Sequence, residues 1–230
     1  MTARRLLLSC FPAALATLLV AGLPMLAVAE IYTEQQGEIT LETSWYPRHA
    51  AVARQDEGFT HIEARPELYV ETDNAALLLQ PRLTAGSAGH GLADLREAHV
   101  TTRVGDLDIL LGTTIIFWGK TESYNPVDII NSQDFSRGLL RNEKRGAPML
   151  RVSWPVGPGQ LDLYAIGFVP NIYPGAKLRE RAGLPVKRQE SFSNGAKRDD
   201  LASALRWSGY FGDIDLGISW FRGTGANPRM

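Results

Sequence analysis

Charged and titratable side chains recur at every second position along several segments of this chain. Glu63, Arg65, Glu67 and Glu71 form one row. Glu97, His99 and Arg103 form another, and Arg82 and Asp108 take the equivalent positions of neighbouring segments. Alternate residues of an extended segment share a face, so each row is a polar face. Rows of this kind, enclosing a wet channel, set ion preference. The signs are balanced, which predicts no strong preference. The same rows also suit internal salt bridges, or the solvent face of a soluble sheet, and the sequence leaves all three readings open.

A second polar set lies between Trp118 and Ala147: Trp118, Lys120, Asp128, Asn131, Asp134, Arg137 and Arg141, with Glu143, Lys144 and Arg145 beyond them. Asn125 is placed to cap a short helix over Pro126 to Ile130 with Asp128 in its first turn, and Asp134 to cap a turn from Ser136 to Leu140. Two roles fit this set. It is a constriction loop that filters solutes by charge, or a structural plug or cap.

Catalytic patterns are missing from the sequence. His49, His61, His90 and His99 are scattered, with no pair at metal-ligand spacing on a shared face. No Gly-x-Ser-x-Gly elbow occurs. The glycine-rich stretch from Gly86 to Gly91 lacks the Lys-Ser/Thr pair of a phosphate-binding loop. The expectation is a non-enzyme with no cofactor and no metal.

The elements that must position these residues are strands. Glu38–Tyr46, His61–Glu71 and Ala76–Leu83 alternate apolar with polar residues, and Pro66 predicts a bulge or a strand end. Ala98, Val100, Thr102 and Val104 share one face and Glu97, His99, Thr101 and Arg103 the other. After a Gly105-Asp106 turn, Leu107, Ile109, Leu111, Thr113, Ile115 and Phe117 alternate with Asp108, Leu110, Gly112, Thr114, Ile116 and Trp118. Further strands are predicted at Met149–Trp154, Leu161–Val169, Asp200–Gly209 and Asp213–Arg222. That gives about nine strands with short and long connections in alternation. Residues 47–60 and 170–198 read as loops. Trp207, Tyr210, Trp220 and Phe221 fall near strand ends, as in an interfacial aromatic girdle, or form the core of a soluble sandwich.

The N-terminus predicts export. Arg4 and Arg5 precede an apolar run from Leu6 to Leu26, and Ala27-Val28-Ala29 offers a small-x-small cleavage site. These features describe a secretory signal over residues 1–29. The run also reaches the length of about 20 residues that an uncleaved anchor needs. Cys10, the single cysteine, lies inside it, so a processed chain has neither disulfide nor thiolate chemistry. Loss of Arg4 and Arg5 takes the formal net charge from −1 to −3, which predicts no nucleic-acid partner. No second apolar run is long enough for a membrane helix, but strands cross a bilayer with only alternate residues facing lipid.

The central stretch carries a resemblance. Leu95-Arg96-Glu97-Ala98, Leu110-Leu111-Gly112, Trp118-Gly119-Lys120, Asp128-Ile129-Ile130-Asn131-Ser132-Gln133-Asp134 and Pro148-Met149-Leu150-Arg151 together resemble a family of proteobacterial outer-membrane, porin-like β-barrel proteins of unknown function. Ser132 stands where that family usually has proline, and Thr113 where it usually has arginine. The resemblance implies an all-β fold: an antiparallel up-and-down transmembrane barrel over residues 30–230, preceded by the signal helix. It implies the N-terminal portion of a longer member, incomplete as a barrel, in the outer membrane of a Gram-negative cell. Outer-membrane lipid, the barrel-assembly machinery and small solutes are its implied partners, and passive solute passage its implied function. A non-conducting barrel that supports export or assembly, and a soluble periplasmic β-sandwich that binds a ligand, are the other two readings.

Overall fold

In the computed structural model the described residues are 4–7, 31–45, 47, 58–87, 91–119, 129–135, 143–172 and 197–225. They form an all-β chain of antiparallel, up-and-down strands, with no helix among them. The chain divides into two compact units, Met1–Leu95 and Arg96–Met230.

The first unit holds β1 (Arg4–Leu7), β2 (Tyr32–Trp45), β3 (Gly58–Glu71) and β4 (Ala75–Gly86), with the start of β5 (Leu92–Val104). β2 and β3 pair from Tyr32↔Glu71 to Trp45↔Gly58. The alternation begins only at Glu38, yet β2 starts six residues earlier because β3 offers a full-length partner to the polar residues Tyr32 to Gly37. Pro66 makes no bulge: it sits in mid-strand opposite Gly37, and the register is the same on both sides of it. β3 and β4 are joined by a turn that Thr72 closes with Ala75, its backbone N–H donating at 2.8 Å.

β1 corrects one expectation. Arg4–Leu7 falls in the predicted signal helix, but it is a strand, paired from Arg4↔Thr43 to Leu7↔Thr40. The β2 edge carries open backbone donors and acceptors, which any extended segment can satisfy. The rest of the predicted leader lies outside the described residues.

The second unit continues β5 and adds β6 (Leu107–Thr114), β7 (Gln133–Asp134), β8 (Glu143–Lys144), β9 (Ala147–Val156), β10 (Gly159–Ile166), β11 (Ala202–Phe211) and β12 (Ile214–Arg222). β5, β6, β9, β10, β11 and β12 are neighbours in that order, and β7 with β8 forms a separate two-stranded pair. Three of its hairpins close on two residues, Gly105-Asp106, Gly157-Pro158 and Gly212-Asp213. Each opens with a glycine near φ +60°, a conformation that suits tight hairpins and that other residues adopt at a cost. The connections at the opposite strand ends, residues 115–146 and 167–201, are long.

Sequence patterning places the faces well and the ends less well. β6 stops at Thr114 rather than running on to Trp118, because Asn131 takes over the backbone groups beyond it. β10 stops at Ile166, and the last hairpin turns at Gly212-Asp213. Asp134 is not a helix cap: it pairs with Glu143 in β7–β8. Ile129 and Ile130 are not helical, and the rest of the predicted helix over Pro126 to Ile130, with Ser136 to Leu140, lies outside the described residues.

The distribution of polarity is the reverse of a soluble sheet. Leu41, Ile62, Leu83, Val100, Leu111, Leu150, Leu163 and Ile218 stand on exposed apolar faces. Glu42, Glu63, Arg82 and Asp162 are buried on the other face. The buried apolar cluster also lies on that charged face, at the loop end of the second unit. There Leu110, Met149, Tyr164, Ile166 and Ala204 meet Ile116, Trp118 and Ile130 of the long connection.

Candidate functional site: charged strand faces and an inserted loop

In the first unit β3 places His61, Glu63, Arg65, Glu67 and Tyr69 on one face, and each acid of that row is engaged. Glu63, only 2% exposed, contacts Arg65 through a salt bridge and His61 Nε2 at 3.6 Å. Gln36 Nε2 and Gln80 Nε2 donate to the two oxygens of Glu67 at 2.7 and 2.6 Å. Arg82 donates from Nε and Nη2 to the two oxygens of Asp94, at 3.0 and 2.9 Å. This is the planar two-point geometry in which guanidinium and carboxylate bind most strongly. Burial of these charges is tolerable because they are paired.

In the second unit Glu97 accepts from Thr114 Oγ1 at 2.9 Å and lies 3.5 Å from His99 Nδ1. Arg103 forms a two-point pair with Asp108, at 2.7 and 3.0 Å, on the cross-strand position beside the Gly105-Asp106 turn. Arg96 reaches Glu143 at 3.7 Å. Glu71 accepts from Tyr69 OH at 2.9 Å, so all nine strand residues singled out in the sequence lie in polar contacts, and Arg65, Arg82, Arg96 and Arg103 are matched by acids.

The connection between β6 and β9 folds back over the charged face. Asn131 is its anchor, buried and fully used. Its Oδ1 accepts from the Ile116 N–H at 2.8 Å, and its Nδ2 donates to the carbonyls of Thr114 and Arg145, each at 2.9 Å. Lys144 Nζ donates to the Ile116 carbonyl at 2.7 Å and lies 3.7 Å from the centre of the Phe117 ring. The two long connections are tied together as well. Gln133 N–H donates to Asn171 Oδ1 at 2.8 Å, Ile172 N–H to the Gln133 carbonyl at 3.0 Å, and Phe135 N–H to the Ile172 carbonyl at 2.7 Å. Arg145 Nη1 donates to the Pro170 carbonyl at 2.7 Å. These bonds satisfy irregular backbone that is covered by protein.

Trp118 is carried by this loop onto the sheet. It is 4% exposed, edge-on to Tyr164 with ring centres 5.7 Å apart, and the Arg206 guanidinium lies 5.5 Å from its ring. Asp134 is buried in β7, whereas Lys120, Asp128, Arg137 and Arg141 lie outside the described residues. Lys144 and Arg145 help to hold the loop through its backbone. Both serve backbone carbonyls, and Glu143 faces Arg96.

Sequence reasoning missed Arg151, Asp162, Tyr164 and Arg206 as a set. The signal was present, since carrying the period of two through β9, β10 and β11 puts all four on the charged face. Register confirms it: Arg151 is opposite Tyr164, and Asp162 opposite Arg206. Among the described residues no three His, Cys, Asp or Glu side chains gather as metal ligands.

No family model, curated protein or solved structure matches this chain.

Proposed function

We propose that this chain is part of a porin-like β-barrel of the outer membrane, reached through a cleaved secretory signal. Its apolar strand faces meet lipid, its charged faces line an aqueous interior, and small solutes cross passively. The observation that carries this reading is the inverted polarity of the strands. Leu111 and Ile218 are each 64% exposed, while Glu63 and Arg82 are each 2% exposed. In water that arrangement wastes apolar burial and desolvates charge. Against a bilayer both faces are in their favoured solvent, because transmembrane barrels alternate apolar-out with polar-in. A soluble sandwich buries its apolar rows, so the exposed rows weigh against the periplasmic alternative. Strands β2 to β6 and β9 to β12, of 8 to 14 residues, suit a tilted membrane crossing, which takes about 9–11. Two-residue hairpins at one set of strand ends and long connections at the other suit it too.

The inserted loop favours a second reading, a barrel with no open pore. Ile116, Trp118 and Ile130 form an apolar wedge against the charged face rather than a ring of charges. The likeness of the central stretch to porin-like proteins of unknown function is compatible with both.

Two measurements separate them. Purified outer-membrane protein is expected to run faster on a gel before boiling than after. Planar-bilayer recording then reads the pore, with discrete steps expected for passage. Recovery in the soluble periplasm, with no mobility shift, overturns the membrane reading. A mobility shift without conductance selects the non-conducting barrel.

A further inference from the structure

We infer that the second unit holds a binding subsite for a small organic carboxylate with an apolar body, formed between Arg151 and Arg206 beneath the inserted loop. This deepens the proposed passage function and rests on it. Arg65, Arg82, Arg96 and Arg103 each meet a carboxylate. Arg151 and Arg206 meet none within 4.0 Å among the described residues, although both stand on the charged face. Arg151 Nε is buried with no hydrogen-bond acceptor among the described residues, which costs the fold the solvation of a charged donor. Both arginines line a cavity of about 400 Å³ whose apolar wall includes Ile116, Phe117 and Tyr210. Phe117 and Tyr210 are both largely exposed and give the cavity an aromatic rim.

The donor chemistry selects the ligand. A guanidinium presents a planar fork that matches the two oxygens of a carboxylate. The apolar wall selects an anion with a hydrocarbon body over a bare inorganic one. Asp162 and Asp215 also line the cavity, and Asp162 already accepts from Gln160 Nε2 at 2.7 Å. These two acids balance the charge of the two arginines. Binding therefore depends on the directed donors and not on a net positive field. It follows that Asp215, on the exposed strand β12, weakens the site by repulsion.

Isothermal titration of the purified full-length chain in detergent tests this, with benzoate as probe, inorganic phosphate as an anion without a body and benzyl alcohol as a body without charge. The expected result is saturable benzoate binding, weaker for both controls. Arg151→Gln and Arg206→Gln are each expected to reduce benzoate affinity about tenfold or more, the scale of a lost charged hydrogen bond. Asp215→Asn, an exposed change that leaves the core intact, is expected to tighten binding severalfold. No saturable benzoate heat, or affinity unchanged in both glutamine variants, overturns the site. Phosphate binding as tightly as benzoate overturns the apolar-body assignment, and benzyl alcohol binding as tightly overturns the role of the arginines. Gel mobility of the same sample keeps the two readings apart. A heat-shifted sample that does not bind benzoate fails this inference alone, whereas an unshifted one recovered from the soluble periplasm fails the barrel reading, and its titration is judged by the same criteria.

Discussion

At the scale of single residues, the charged face is stable only as matched sets. Arg82 and Asp94 illustrate this, with side chains 3% and 13% exposed and two short hydrogen bonds between them. Asp94→Ala is expected to cost about 3 kcal/mol, the lower end for leaving one partner of a buried pair uncompensated. The double replacement Arg82→Met with Asp94→Leu is expected to recover most of it, read from urea midpoints in detergent. Asn131 is the other critical residue. It was legible from the sequence as part of a polar motif, but its role was not, because its three partners are backbone groups of Thr114, Ile116 and Arg145. Asn131→Ala leaves those groups without this partner, and a loss of about 2–3 kcal/mol is expected. It is also expected to free the loop, giving faster proteolysis between Trp118 and Ala147 than in the parent.

At the scale of elements, period-two alternation located the strands and assigned their faces correctly, since cross-strand neighbours share a face and burial enforces the register. It did not locate strand ends. Those depend on what pairs with the backbone, as where β3 extends β2 through its polar start, or where Asn131 ends β6. Nor did it show β7 and β8, two-residue strands too short for any pattern. Gly112 marks a place where the close approach of two strands was invisible beforehand. It has φ +136°, and a Cβ there would lie 2.3 Å from the Ala98 carbonyl oxygen and 2.6 Å from the His99 Cα. Gly112→Ala is expected to strain the β5–β6 pair and sharply lower the yield of folded protein, measured as the fraction that resists protease in detergent. On the apolar face, Leu111→Lys is expected to cost about 2–4 kcal/mol in lipid, the scale for a lysine at mid-membrane depth. Thr101→Lys, on the opposite face of the neighbouring strand, is expected to cost much less. Equal costs would contradict the assignment of the two faces.

At the scale of the whole molecule, the central claim is that the apolar faces meet lipid and the charged faces meet water. The sequence alone left a membrane barrel and a soluble sandwich both open, because alternation is common to them. Burial separates their demands: a sandwich needs its apolar rows covered, and here rows such as Leu41, Leu83, Leu111 and Leu163 are exposed. The inserted loop was ambiguous for a related reason. Its composition is charged, but the residues that meet the sheet are Ile116, Trp118 and Ile130. The measurement that tests the claim most directly is a lipid-quenching scan of β6. Single cysteines are placed in turn at positions 107–114 in a Cys10→Ser background, labelled with a small fluorophore and reconstituted with brominated lipid. Quenching is expected at Leu107, Ile109, Leu111 and Thr113 and absent at Asp108, Leu110, Gly112 and Thr114. Uniform quenching, no quenching, or quenching at the second set would contradict the account.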